Sequence, residues 1–295
     1  MTDPQTKATL NSWALAAPAL ALLVMASIGP LLIVLVYSFM TPGDYSGVER
    51  PFTTQAWQQV FLSRDIFDDT LSWADAHLTI FWRSVKLSVL TTAIPFLLGL
   101  PTAWFIATRP PQRRAMWLFL ITIPFWTNLL IRTFAVMELI RNEGTLNTFL
   151  MTIGVIDAPL QILFTETAII IGMLYVYLPL MVLPLFAAID RFDFRLIEAA
   201  YDLYASRLLV LRRIIVPIVR PGIVAGSILV FVPSLGAYVT PEILGGGRET
   251  MLGSYIVTQF LTARNWPVGA SVSFVLMAVM LSATIVYFRA GGKNL

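Results

Sequence analysis

Few residues in this chain have side chains suited to making or breaking bonds. Among 295 residues there is no cysteine and a single histidine, His77. That excludes a thiolate metal site, a disulfide framework and a Cys nucleophile, and also any zinc or haem site built on several imidazoles. A Ser-His-Asp triad would have to draw on that one ring. Gly245-Gly246-Gly247 has the composition of a phosphate cradle, but no Lys-Ser/Thr pair follows it, so it reads as a flexible turn. No G-x-x-x-x-G-K-S/T phosphate loop occurs anywhere. What remains is a sparse set of charged, amide and aromatic residues embedded in apolar sequence. Arg132 and Glu138 stand six apart, Tyr238 and Glu242 four apart, and Trp126, Asn128, Tyr175 and Tyr177 lie in similar surroundings. These types bind and orient; they point away from catalysis within this chain.

The elements that must position them follow from composition. Hydrophobic residues make up 57% of the chain and charged residues 13%, about half the charged share of an ordinary soluble domain. Such a chain cannot cover a water-facing surface and belongs in a bilayer. Because a charge at the bilayer centre costs about 2.5–3.5 kcal/mol on insertion scales, gaps between charges locate the spans. Six uncharged runs stand out, at 8–43, 87–108, 115–131, 167–189, 221–241 and 265–288. About 20 apolar residues cross the hydrocarbon as a helix. The runs therefore predict an all-α integral membrane protein in one transmembrane domain over 1–295, with six helices at about 13–39, 84–108, 115–139, 165–189, 221–241 and 266–288. The first apolar stretch is too long for a cleaved signal and reads as a retained anchor. Residues 250–263 are short and polar, which fits a surface or re-entrant helix. Pro95, Pro101, Pro124, Pro179, Pro184 and Pro233 fall within spans as tolerated kinks and candidate hinges.

Six spans put both termini on one side. With the termini, the 109–114 turn and the 190–220 loop together, that side holds 12 Lys+Arg and 5 Asp+Glu, against 8 and 12 on the other. The positive-inside rule makes the first side cytoplasmic. Arg109, Arg113 and Arg114 form a basic cytoplasmic turn, whereas the 41–80 loop carries six acids and faces outward. The basic residues form no dense patch, so topology explains them better than nucleic acid does.

The cytoplasmic loop at 190–222 has no Gly or Pro from Arg191 to Val216, and predicts one or two short amphipathic helices. Pro217, Pro221 and Gly222 should then break the pattern before the next span. Composition alone leaves two readings, a solvated loop or a docking element. The series Glu198-Ala199-Ala200, Ala205-Ser206, Ile215-Val216-Pro217 and Pro221-Gly222, lying between spans four and five, resembles the EAA coupling loop of ABC importer permeases. The resemblance implies the type I importer permease fold. It also implies that Glu198, Ala199 and Ala200 form a helix docking into a groove of the ATPase subunit, continued by Asp202 and Ala205. In that family a Gly usually stands where this chain has Tyr204. Tyr adopts positive φ only at a cost, so continued helix is expected in place of the tight bend.

The resemblance covers nearly the whole chain. Pro124-Phe-Trp-Thr-Asn-Leu-Leu-Ile-Arg132, Asn142-Glu-Gly144, Gly236-Ala-Tyr-Val-Thr-Pro-Glu-Ile-Leu-Gly-Gly246, Met251-Leu-Gly253, Gln259-Phe260 and Asn265-Trp-Pro-Val-Gly269 look like the first permease subunit of spermidine/putrescine importers. The implied machine comprises this chain, a second permease, two ATP-binding subunits and a periplasmic binding protein, in a bacterial inner membrane. ATP and Mg would sit in the ATPase subunits and no cofactor in this chain; nucleic acid has no part.

Acids, carbonyl oxygens and aromatic faces pass a polycation through hydrocarbon. Glu138 is then a candidate pathway carboxylate. It lies about 120° round a helix from Arg132, so the two are not expected to pair, and both can instead snorkel or bond neighbouring carbonyls. Tyr238 and Glu242 share a face if the helix persists, lining the pathway or contacting the binding protein, unless Tyr238 belongs to the interfacial belt. Trp126, Asn128, Tyr175 and Tyr177 are further pathway candidates, with packing as the alternative for the aromatics. His77 reads as an ordinary surface residue. The acidic 41–80 loop is a solvated loop or an attractor of the cation or the binding protein. Rival functions are the same machine carrying another small organic cation, an opine-like compound or an aminophosphonate; an ATP-independent channel or carrier; and an intramembrane enzyme, which lacks a paired carboxylate within the spans.

Overall fold

The computed structural model describes residues 4–43, 45–64 and 71–292. Asp44, Asp65, Asp68 and Asp69, four of the six acids of the 41–80 loop, lie outside them. The described residues form two compact units, one of Met1–Ala74 with Thr258–Phe274 and one of Asp75–Val257 with Val275–Leu295.

The first unit opens with α1 (Pro4–Tyr37), then β1 (Met40–Pro42), β2 (Val48–Phe52), α2 (Gln55–Phe61), β3 (Leu62–Arg64) and β4 (Leu71–Trp73). The strands pair as two antiparallel ribbons, β1 with β2 and β3 with β4. Buried Ser38 ties this unit together: the Trp57 indole donates to its Oγ at 3.3 Å, and Ser271 Oγ donates to its carbonyl at 3.4 Å.

The second unit holds α3 (Asp75–Ala107), α4 (Pro111–Trp126), α5 (Leu129–Ile140), α6 (Thr145–Thr152), α7 (Glu166–Asp190), α8 (Arg195–Asp202), α9 (Arg207–Val210), α10 (Val216–Leu235) and α11 (Val239–Gly245). Short α12 (Leu252–Leu261) and long α13 (Trp266–Gly292) run through the unit boundaries. Helices α3, α7 and α10 pack around Ile106, Met181, Leu185, Ile189, Val219 and Val230. Lipid gives no hydrophobic drive to associate helices, so close contact between small residues carries the packing. At Gly222 a Cβ would lie 2.7 Å from the Pro184 carbonyl, and at Gly226 2.8 Å from Met181 Sδ.

Among the described residues five helices are long and apolar enough to cross a membrane, and α4 with α5–α6 makes a sixth if the bent pair counts as one. The third expected span, 115–139, is therefore not continuous. The chain turns by 94° at Thr127–Asn128, both extended, and Asn128 Oδ1 caps α5 by accepting the Leu130 N–H at 2.8 Å. Helix α3 begins at Asp75, well before residue 84, because Arg83 and Lys86 find acidic partners and do not end the helix. Nor do Pro217 and Pro221 break the helix leading into the fifth span. Leu211–Ile215 is a π-helical turn in which the Val216 N–H reaches the Leu211 carbonyl, and Pro217 follows in the first turn of α10, where no N–H is needed. Helix α10 closes at Leu235, so Glu242 sits in the separate α11 and Tyr238 just before it.

Candidate functional site

The loop after α7 is shaped by its own polar atoms. Asp193 Oδ1 accepts the Arg195 N–H at 3.0 Å and starts α8. The helix then presents Glu198, Ala199 and Asp202 outward, while Ala200 and Ile197 turn toward the core of the second unit. It ends at Asp202, and the tight bend is kept. Tyr204 takes φ 58°, its N–H donates to Tyr201 O at 2.9 Å, and the Ala205 N–H donates to Ala200 O at 3.0 Å. This is the paired closure that ends many helices with a left-handed residue, here with tyrosine where glycine is favoured. The expectation of continued helix is overturned because the two hydrogen bonds and the packing of Ala205 on the core hold the bend against the strain. Ala205 accordingly does not continue α8; it lies past the bend. Ser206 Oγ then caps α9 by accepting the Leu209 N–H at 3.3 Å.

The root of this loop is fixed at two points. Phe192 and Phe194 stand edge-on to Trp104 of α3, with ring centroids 6.1 and 5.4 Å away, and 5.5 Å from each other. Asp190, the last residue of α7, pairs with Arg114 of α4 at 2.5 Å, and Arg114 Nε also donates to Arg109 O at 2.7 Å. The loop thus stays attached both to α3 and to the basic turn between α3 and α4.

A model of the binding-protein-dependent transport system inner membrane component matches residues 83–291. The chain belongs to this family. It is 39% identical over 261 residues to the spermidine/putrescine transport system permease protein PotB of Escherichia coli (strain K12), covering 88% of this chain and 90% of the relative. It is 38% identical to the protein of that name from Haemophilus influenzae, covering 88% and 87%. A bacterial alginate ABC transporter, solved in complex with an alginate-bound periplasmic protein, shares the fold with a TM-score of 0.71 at 16% identity, covering 97% of this chain and 95% of that one. The protein is thus a multi-pass, all-α permease subunit of an ABC importer and a non-catalytic membrane component, which implies an ATPase and a substrate-binding protein as partners.

Within this permease the candidate residues of the spans divide into engaged and exposed ones. Arg132 is 8% exposed and donates from Nη2 to Thr127 O at 3.1 Å, with Phe125 beneath the guanidinium at 6.0 Å; its Nε and Nη1 have no partner among the described residues. Glu138 pairs with Arg141 at 3.2 Å, not with Arg132. Tyr177 donates to Pro233 O at 3.3 Å, joining α7 to α10. Trp126 is 84% exposed at the end of α4, and Tyr175, Tyr238 and Glu242 are exposed as well. Tyr238 precedes α11, and its carbonyl accepts the Glu242 N–H at 2.9 Å, so the four-residue spacing does hold one turn. His77 is not an ordinary surface residue: it is half-buried, its Nε2 lies 2.7 Å from Tyr255 Oη, and the rings are 5.1 Å apart. A charge cluster at the start of α3 escapes a reading by local spacing. Lys86 Nζ meets Glu166 Oε1 at 2.7 Å, and Arg83 reaches Glu249 at 3.0 Å and Glu166 at 3.7 Å, all across large sequence separations.

Proposed function

We propose that this permease imports polyamines, spermidine and putrescine, into the cytoplasm. The observation supporting this cargo is the 39% identity, over most of both chains, to a permease named for spermidine and putrescine. The chain pairs with a second permease; two ATP-binding subunits hold ATP and Mg on the cytoplasmic face, and a periplasmic protein delivers the cation. The charge asymmetry of +7 against −4 supports cytoplasmic termini and a cytoplasmic α8. Helix α8 is the docking element, with Glu198, Ala199 and Asp202 toward the ATPase subunit and Ala200 against the permease. Closure of the ATPases on ATP moves α8, and the attachments at Trp104 and Arg114 carry that motion into α3 and α4. Exposed Glu242, Tyr238, Tyr175 and Trp126, together with Glu138, line the pathway, where carboxylates and ring faces replace part of the ammonium hydration, and Asn128 and Tyr177 hold the helix ends beside them.

The test is ATP hydrolysis by the assembled complex in lipid nanodiscs with its binding protein, across spermidine, putrescine and a panel of other organic cations, opines and aminophosphonates. Stimulation by polyamines is expected. Stimulation by another compound alone overturns the cargo and leaves the importer. Glu198→Arg, placing a cation at the docking face, is expected to abolish stimulation without loss of folded permease; undiminished stimulation removes Glu198 from the interface.

A further inference from the structure

The chain after α5 is built more firmly than a connection requires. Fully buried Asn147 of α6 donates to Arg141 O at 3.1 Å and to Leu160 O at 3.0 Å, and its Oδ1 accepts the Leu160 N–H at 2.9 Å. One amide side chain thereby staples together the segments on both sides of α6. Gly144 sits where a Cβ would lie 2.6 Å from the Glu138 and Leu139 carbonyls. Opposite, Phe164 is held at φ 64° by its N–H donating to Leu244 O at 2.9 Å, and its ring fills the place that a Cβ on Gly246 would take. A bulky residue in the left-handed region persists only where its surroundings over-determine it.

Between these fixed segments lies an open cleft of about 450 Å³, whose lining includes Arg141, Asn142, Glu143, Gln161, Phe164 and Arg248. Arg141 is shared with Glu138. The Arg248 guanidinium and the Glu143 carboxylate have no ion pair or side-chain hydrogen bond among the described residues. Two guanidiniums at its rim make the cleft a poor station for an ammonium cargo and a good one for a carboxylate. In the orientation proposed above, on which this assignment rests, the cleft opens to the periplasm.

We propose that this cleft is the socket in which the periplasmic binding protein seats an acidic loop, with a carboxylate of that loop meeting Arg248 and Arg141 and a hydrogen-bond donor meeting Glu143. Pre-formed walls limit the ordering cost of docking, and the unpaired charges select the partner and fix its register.

The chain has no cysteine, so Gln161→Cys gives it a single labelling site at the rim of the cleft. In nanodiscs holding the full complex, with the unsubstituted chain as background, the binding protein with ATP and vanadate is expected to protect the introduced thiol from a water-soluble maleimide. Arg248→Glu is expected to weaken the apparent affinity for the binding protein roughly tenfold, and Arg248→Gln roughly threefold to fivefold, with a shallower salt dependence in both. ATP hydrolysis without the binding protein should be unchanged in either. Affinity within twofold of the parent in both variants, or labelling of the Gln161→Cys variant that is indifferent to the binding protein, overturns the socket. Should Arg248→Glu fail to assemble, Arg248→Gln and the labelling decide. Failure of the importer reading looks different: the unsubstituted complex would then show no response to any loaded binding protein.

Discussion

Replacing Tyr204 by glycine should stabilise the α8 bend, and replacing it by alanine should not. Tyr204 is 98% exposed and sits at φ 58°, so its side chain contributes no packing within the chain while its backbone carries a left-handed penalty. That penalty is about 1–2 kcal/mol for an L-residue with a Cβ. Glycine removes it but gives back about 0.5–1 kcal/mol through the larger entropy of its unfolded chain, for a net gain of about 0.7 kcal/mol. Alanine keeps the Cβ and with it the strain. The reporter is the Ala205 amide, whose bond to Ala200 O closes the bend. Hydrogen exchange at that amide measures local opening. Tyr204→Gly should slow it about threefold to fourfold, with Tyr204→Ala near the parent. Equal slowing in both variants would mean that the tyrosine side chain, not its backbone, carries the cost; faster exchange in Tyr204→Gly would mean that the bend carries no strain. ATPase stimulation then separates structure from docking. If the exposed ring enters the ATPase groove, both variants lose stimulation although only one changes bend stability.

Two further substitutions test the frame. Trp104→Ala removes both edge-on contacts at the root of the loop, each worth about 0.5–1.5 kcal/mol beyond burial; stimulated ATP hydrolysis should fall several-fold relative to basal, with Trp104→Phe restoring much of the ratio, and an unchanged ratio in Trp104→Ala would remove the attachment from coupling. Gly222→Ala drives a methyl group to within 2.7 Å of the Pro184 carbonyl, forcing α7 and α10 apart at a cost of about 1–3 kcal/mol; a lower thermal midpoint in detergent is expected, and a raised one would mean that the two helices are not in contact there.

The helices were legible because charges are expensive in lipid: each long uncharged run contains apolar helix. Where a run failed as a guide, a partner had changed the cost. Arg83 and Lys86 remain inside α3 because Glu166 and Glu249 meet them, and residues 80 and more apart in sequence give no local sign of that. The break at Thr127–Asn128 did leave a sign, a helix-capping residue three to four positions after Pro124, but an apolar count overrides it. The bend at Tyr204 departs from residue preference for the converse reason. Residue preference describes an isolated backbone, and here two closing hydrogen bonds and the packing of Ala205 outweigh it. The aromatic root was invisible too, since nothing local connects Trp104 with Phe192 and Phe194.

The polar residues of the spans carry a more general argument. A helix that ends within hydrocarbon leaves carbonyls and N–H groups that no water satisfies, each a cost of several kcal/mol. Three of the polar side chains bond backbone groups left open at helix ends. Asn128 Oδ1 takes the Leu130 N–H at the start of α5, Arg132 supplies Thr127 O where the break removes its usual donor, and Tyr177 supplies Pro233 O where α10 stops at Leu235. Asn128 and Tyr177 are of types that a cation pathway also uses, which is why spacing alone could not sort them. Their bonds are those expected of helix caps, and a cap whose polar atom is committed has little left to offer a passing ammonium group. The side chains of Trp126, Tyr175, Tyr238 and Glu242 have no such commitment among the described residues and stay exposed, so carboxylate and ring chemistry remains available there. Substitutions at the first group should therefore be felt first in stability, and at the second in transport.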